Sequence, residues 1–215
     1  MMEVEEQTNA VEAPDQPEGG GRHAATSSGR RGKWAIELGI VVVVAVVIAI
    51  LLRTFVVATY SIPSGSMEPT LQVGDRIVVD KLSYDLHGID RGNIIVFSTP
   101  PKENCAGPPV SDLVKRVIGL PGETISVSGG RVYINGKHLP EPWLPQSEKN
   151  ATTPGPSSAG YALHHPYQIP SGYVYVMGDN RTESCDSRYW GPITKSSIVG
   201  KVDLRIWPLS SISFF

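Results

Sequence analysis

The chain is 215 residues long and 40% apolar, which allows one domain, or one and a half, plus appendages. Its net charge of -2 supplies no basic surface for a phosphate backbone and argues against a nucleic-acid binder. There is no dinucleotide or phosphate loop and no Cys/His cluster with metal-ligand spacing, so no cofactor and no metal are expected.

In chain order, residues 1–20 are acidic (Glu3, Glu5, Glu6, Glu12, Asp15, Glu18) and residues 22–33 are basic (Arg22, Arg30, Arg31, Lys33). Almost no large apolar residue falls in 1–33, so nothing there offsets the entropy of ordering, and a disordered tail is expected. Residues 34–52 carry one charge, Glu37, and 40–52 (IVVVVAVVIAILL) have no polar side chain. As a helix this stretch is roughly 28 Å long, close to the ~30 Å hydrocarbon core of a bilayer. It reads as one transmembrane helix over 34–52. A cleavable signal peptide is the competing reading, opposed by the long leader and the length of the apolar run. The four basic residues before the span outnumber Arg53 just beyond it, which puts the tail in the cytoplasm and 54–215 outside.

After the span come apolar or alternating stretches: DRIVVD (75–80), NIIVFS (93–98), ETISV (123–127), RVYIN (131–135), YVYVM (173–177) and VGKVDLRIW (199–207). Gly, Pro, Asn and Asp punctuate them, and Asn135-Gly136 is a strong hairpin signal. No convincing amphipathic helix interrupts them, so the outer part reads as an all-β, antiparallel, barrel-like domain. Residues 140–170 hold seven prolines and little pattern, and read as a surface excursion from the β-core.

Three stretches carry candidate chemistry. In SIPSGSMEPT (61–70), Pro63 fixes φ and extends Ile62, while Gly65 permits a tight bend that exposes Ser66 among backbone N–H groups. A serine nucleophile needs a base. His23 lies in the tail, and His87, His138, His164 and His165 lie in turn-like or Pro-rich segments; G-x-S-x-G and S-x-x-K are both absent. A lysine serves if desolvation lowers its pKa from about 10.4 toward 7–8. In DLVKRVIGLPGE (112–123), strand alternation puts Lys115 and Val117 on one face, turned inward, and Arg116 on the other, solvated. A surface Lys-Arg pair on an edge strand fits the same residues. In MGDNRTESCDSRYWG (177–191), Asp186 and Arg188 share a strand face and can pair, fixing the hydroxyls of Ser184 and Ser187; a turn with a structural ion pair is the plainer account.

Together, PSGSMEPTL, DLVKRVIGLPGE and GDNRTESCDSRYWG resemble the serine, lysine and C-terminal boxes of the type I (leader) signal peptidases, and RTFVVATYSI fits their link from membrane to serine box. The likeness covers roughly residues 34–215. It implies a bacterial, single-span, membrane-anchored protease with an all-β catalytic domain interrupted by a small cap: catalytic over 53–127 and 171–215, cap over 128–170. By position, Ser66 matches the nucleophile and Lys115 the general base. Ser64 matches the hydroxyl that joins the Ser66 N–H in the oxyanion hole, and Ser184 the hydroxyl that orients the lysine. Asp186 and Arg188 match the supporting ion pair, and Ile62, Leu71 and Val114 line shallow pockets for small side chains. One departure is Glu183, where some relatives carry Asn.

The implied reaction is cleavage of exported preproteins after small-x-small sites through a Ser66 acyl-enzyme. The partners are then signal peptides and the lipid bilayer, with Phe55, Val56 and Val57 placed to dip an apolar face into lipid. The implied location is the bacterial plasma membrane, with the catalytic domain extracytoplasmic. If Ser66 and Lys115 converge, Cys105 (ten residues before Lys115) and Cys185 (directly after Ser184) come near each other, and a disulfide between them is expected outside the cytoplasm. Two unpaired thiols are the alternative. Self-cleaving SOS repressors share the chemistry but fit badly, since they need a DNA-binding domain and no anchor. An inactive, membrane-anchored β-domain that binds exported polypeptides is the remaining rival.

Overall fold

A computed structural model describes residues 28–103, 105, 110–156 and 161–215. Of the disordered tail expected over 1–33, residues 1–27, with the acidic stretch 1–20, lie outside the described residues.

The first element is a helix, α1 (Ser28–Phe55). Its window Lys33–Ile50 is long and apolar enough to cross a membrane, and every side chain in that window is exposed. The helix is longer at both ends than the span 34–52, and residues 28–33, read as tail, form its first turns. No proline falls between 28 and 55, and once nucleated a helix adds residues at little cost until a breaker intervenes.

Twelve strands follow: β1 (Val57–Ser61), β2 (Arg76–Asp80), β3 (Ile94–Ser98), β4 (Asp112–Gly119), β5 (Thr124–Ser128), β6 (Arg131–Ile134), β7 (Lys137–His138), β8 (Tyr167–Gln168), β9 (Tyr173–Met177), β10 (Ile193–Thr194), β11 (Ile198–Trp207) and β12 (Ser213–Phe214). Two one-turn helices, α2 (Ser83–Leu86) and α3 (Ser187–Trp190), lie between them. All six stretches read as strands form strands. The main sheet runs β1-β2-β11-β3-β4-β9-β10, with β12 added to β11, and the second runs β7-β6-β5-β8; every pairing is antiparallel. Asn135 and Gly136 turn the chain from β6 to β7 with φ of 51° and 76°, the positive pair a tight hairpin requires.

Three apolar clusters hold the sheets. Ile62, Met67, Leu71, Ile77, Val79, Ile94, Val96 and Val202 pack beneath the serine turn. Ile118, Ile125, Val132, Ile134, Leu163, Ile169, Tyr175 and Met177 join the two sheets. Ile95, Phe97, Val117, Val174, Val176, Trp190 and Ile193 form the third. The second cluster corrects the reading of 140–170 as a surface excursion: Glu141, Leu144, Thr152, Leu163 and Ile169 are buried. Prolines hid this, because a segment without strand periodicity can still bury single side chains between irregular turns. The second sheet also begins at Thr124, before residue 128.

Candidate active site

The serine turn is built from short-range geometry over a packed floor. Ser64 is extended (φ −139°, ψ 156°), after which Gly65–Met67 form a single turn closed by the Glu68 N–H donating to the Gly65 carbonyl at 3.0 Å. Met67 and Leu71 below it are 1% and 0% exposed, so the turn cannot tip without opening the core. From above, Asn180 donates its N–H to the Ser66 carbonyl at 3.2 Å and its Nδ2 to the Gly65 carbonyl at 3.2 Å.

Strand β4 carries the second group. Its register pairs Lys115 with Ile95, and Lys115 and Val117 are both buried on one face. The opposite face is buried too, which corrects the expectation that Arg116 is solvated. Arg116 donates Nε and Nη2 to Asp179 Oδ1 and Oδ2 at 2.8 and 2.6 Å and Nη1 to the Gly92 carbonyl, and its guanidinium lies 5.2 Å from the Trp143 ring centre. Alternation assigns opposite faces; it does not say that both are covered. Asp179 also accepts from Thr70 Oγ1 at 2.6 Å, so one carboxylate ties the serine turn, β4 and the segment after β9 together.

Lys115 Nζ lies 2.7 Å from Ser66 Oγ and donates to it. Burial drives the Lys115 ammonium down to about 8; Asp186 pulls it back up and Arg188 pushes it down. Ser64 Oγ lies 3.4 Å from Ser66 Oγ, beyond a normal hydroxyl bond, with Ser64 exposed beside Ser66.

Asp186 and Arg188 do pair, but not across a strand face. Asp186 caps α3, its Oδ1 accepting the Arg188 N–H, while Arg188 Nε and Nη2 reach Oδ1 and Oδ2 at 2.8 Å each. An aspartate two residues ahead of a free N–H satisfies a helix start, and this local bond outweighs strand formation. Burial alone would raise Asp186, but Arg188, the bonds from Arg188 and the Gly178 N–H, and Lys115 hold it below the usual carboxylate range. The Ser187 hydroxyl accepts from the Val176 N–H at 3.0 Å. Ser184 is 2% exposed and its hydroxyl has no hydrogen-bond partner among the described residues, so the expected bond to Lys115 is not made in this arrangement. Cys105 and Cys185 are joined by a disulfide with Cα atoms 6.2 Å apart. Among the described residues the one grouping with metal-ligand character, Glu103 with these two cysteines, has both sulfurs taken by that bond.

Ser66 and Lys115 line two clefts. One, of about 330 Å³, has Ile62, Val96, Leu113 and Val114 on its apolar wall. The other, of about 320 Å³, adds Glu103, Glu183 and the disulfide. Leu71 lines neither: it is fully buried in the floor, a correction to its reading as a pocket residue, since the turn at 65–67 swings the chain inward before residue 71. Sequence reasoning missed Thr70, Asp179 and Asn180. Asp179 and Asn180 stood inside a stretch already singled out, yet their partners lie over 60 residues away and no local spacing marks them.

A family model described as signal peptidase, peptidase S26, matches residues 35–207. The chain belongs to that family. It is 40% identical to a signal peptidase I of Bacillus caldolyticus over 189 residues, covering 86% of this chain and 94% of that one. It is also 40% identical to a probable signal peptidase I-2 of a Synechocystis strain over 178 residues (82% and 75%). With a signal peptidase IB of Staphylococcus aureus it shares 35% identity over 188 residues (85% and 94%). A crystal structure of a signal peptidase I from Enterococcus faecalis superposes with a TM-score of 0.42 at 30% identity, covering 54% of this chain and 97% of that one. Family membership makes the chain a signal peptidase I, a hydrolase of the serine protease kind.

Proposed function

We propose that this signal peptidase cleaves exported preproteins after small-x-small sites by a Ser–Lys dyad, Ser66 attacking and Lys115 serving as general base. The observation that carries it is the buried Lys115 amine 2.7 Å from the Ser66 hydroxyl. Neutral Lys115 takes the hydroxyl proton as Oγ bonds to the scissile carbonyl carbon. The resulting ammonium then returns the proton to the departing amine, leaving the acyl group on Ser66. Water attacks next, with the same lysine as base. The Ser66 N–H and the Ser64 hydroxyl face the developing oxyanion, a role that Ser64 takes up by rotating its side chain from its present 3.4 Å contact. Asp186 and Arg188 act on Lys115 with opposite signs from behind.

Substrate recognition follows from two sheet edges. Among the described residues, 112–115 of β4 pair with β3 on one side, β9 takes the other side only from Arg116 onward, and β1 pairs with β2 alone. Both edges border the 330 Å³ cleft, so an extended peptide adds main-chain hydrogen bonds there, with Ile62 and Val114 against alternate side chains. A cleft of this size lined by branched residues suits small side chains.

Membrane attachment is read from α1, which is apolar on all sides and uncovered over Lys33–Ile50, a surface that suits lipid. The tail is placed in the cytoplasm and the β-domain outside by the basic residues ahead of the span. Exposed Val57, Trp207, Leu209, Ile212 and Phe214 support contact of the β-domain with the bilayer surface. The test is hydrolysis of a fluorogenic Ala-x-Ala peptide by the detergent-solubilised chain. Wild type is expected to cleave, and folded Ser66→Ala and Lys115→Arg to be inactive, arginine being cationic at any usable pH. Substantial activity in folded Lys115→Arg refutes the dyad, and a wild type that binds without cleaving leaves an anchored binding module.

A further inference from the structure

Glu141 is a buried carboxylate that the mechanism above does not use. It is 7% exposed and lies just after β7, 40 residues from its partner Arg181, which is fully buried. Arg181 donates Nη1 to Glu141 Oε2 at 3.0 Å and to Thr152 Oγ1 at 2.8 Å, and its Nη2 pairs with Glu141 Oε1. Its remaining side-chain nitrogen, Nε, donates to the Gly178 carbonyl at 3.1 Å. On its other side Gly178 donates its N–H to Asp186 Oδ2 at 3.1 Å, so this glycine is held at both N and O. Gly178 in turn lies against the nucleophile: a Cβ built on it would run into the Ser66 carbonyl oxygen and the Ser184 hydroxyl.

We propose that Glu141 is a positioning residue for Ser66, acting through Arg181 and Gly178. This rests on the Ser–Lys reading given above. Packing alone would be served by any arrangement that neutralised Arg181. Here Glu141 fixes the guanidinium in its plane with two bonds, and that plane aims Nε at the carbonyl of Gly178, which packs against the Ser66 carbonyl too closely to admit a side chain. A second strut runs in parallel, Arg188 Nη1 reaching the Thr153 carbonyl and hydroxyl at 3.3 and 3.2 Å and the Arg181 carbonyl at 2.8 Å. The segment 141–153 thus forms the back wall of the catalytic box. Loss of the Glu141–Arg181 clamp lets Gly178 and Ser66 shift relative to Lys115, and misplacement by ~1 Å costs on the order of 10²-fold in rate.

The test separates positioning from stability. A double variant, Glu141→Leu with Arg181→Met, removes the buried pair without leaving an unpaired charge, an exchange that commonly preserves stability. In the detergent-solubilised full chain, it is expected to unfold near the wild-type midpoint, keep KM within about twofold, and lose at least about tenfold in kcat. Arg181→Lys keeps the charge opposite Glu141 but lacks the Nε–H aimed at Gly178, and is expected to show the same split; it also decides the matter if the double variant does not fold. Wild-type kcat in either folded variant overturns the positioning role and leaves the Ser–Lys reading standing. A Ser66→Ala enzyme as active as wild type overturns the reading itself.

Discussion

Lys115 is a costly residue for the fold, and Lys115→Met measures the cost. Burial lowers its pKa from 10.5 to about 8. At about 1.4 kcal/mol per pKa unit, the protonated side chain destabilises the folded state by about 3 kcal/mol below pH 8. The folded pKa lies below the unfolded one, so the unfolded chain holds the extra proton between pH 8 and 10.5. The penalty is therefore full below about pH 8 and fades as pH rises toward 10.5. Methionine matches the length of the chain and carries no charge, but gives up the hydrogen bond to Ser66 Oγ, worth about 1 kcal/mol. The inactive variant should thus be more stable than wild type by about 2 kcal/mol at pH 7, roughly 4–8 °C in unfolding midpoint for a chain of this size. Thermal unfolding of both proteins in the same detergent at pH 7, 8, 9 and 10 gives the comparison, with the gap expected to shrink steadily. A Lys115→Met protein no more stable than wild type at pH 7, or a gap that does not change with pH, would refute the argument that burial lowers the Lys115 pKa.

On the Ser–Lys reading the same titration governs catalysis, and kcat/KM should rise with pH through an apparent pKa near 8, measured with the fluorogenic peptide. Ser64→Ala should keep a measurable activity reduced by ~10²–10³, the usual loss for one oxyanion donor; wild-type activity would exclude that role. Asp186→Asn leaves the Arg188 cation buried with half a partner and removes the charge that raises Lys115, so destabilisation of about 3–5 kcal/mol by urea titration is expected. For topology, protease added outside intact cells should spare a tag at residue 1; its removal would reverse the assignment.

The strands were legible because their signals are local: RIVVD declares its faces within five residues, YVYVM is a short unbroken apolar run buried on both faces, and Asn135-Gly136 declares its turn. The serine turn was legible for the same reason, with Pro63 and Gly65 restricting and freeing the backbone on either side of Ser64. What failed was non-local or depended on competition between local bonds. Arg116 looked solvated because nothing near it in the chain announces Asp179, 63 residues away. Asp186 and Arg188 carry a spacing of two that suits a strand, yet the carboxylate meets the N–H two residues on and starts α3 instead. Leu71 and the 141–153 segment were misjudged because burial under a turn leaves no periodic trace.

Ser66 and Lys115 stand 49 residues apart in the chain, on the turn after β1 and in the middle of β4. Between the strands that bring them together lie β2, β11 and β3, in that order across the sheet. A chain lacking any of these pairings is accordingly expected to lack the juxtaposed Ser66 and Lys115. On the Ser–Lys reading proposed above, turnover is a readout of completed tertiary structure, and counting active sites with a serine-directed reagent counts correctly assembled molecules.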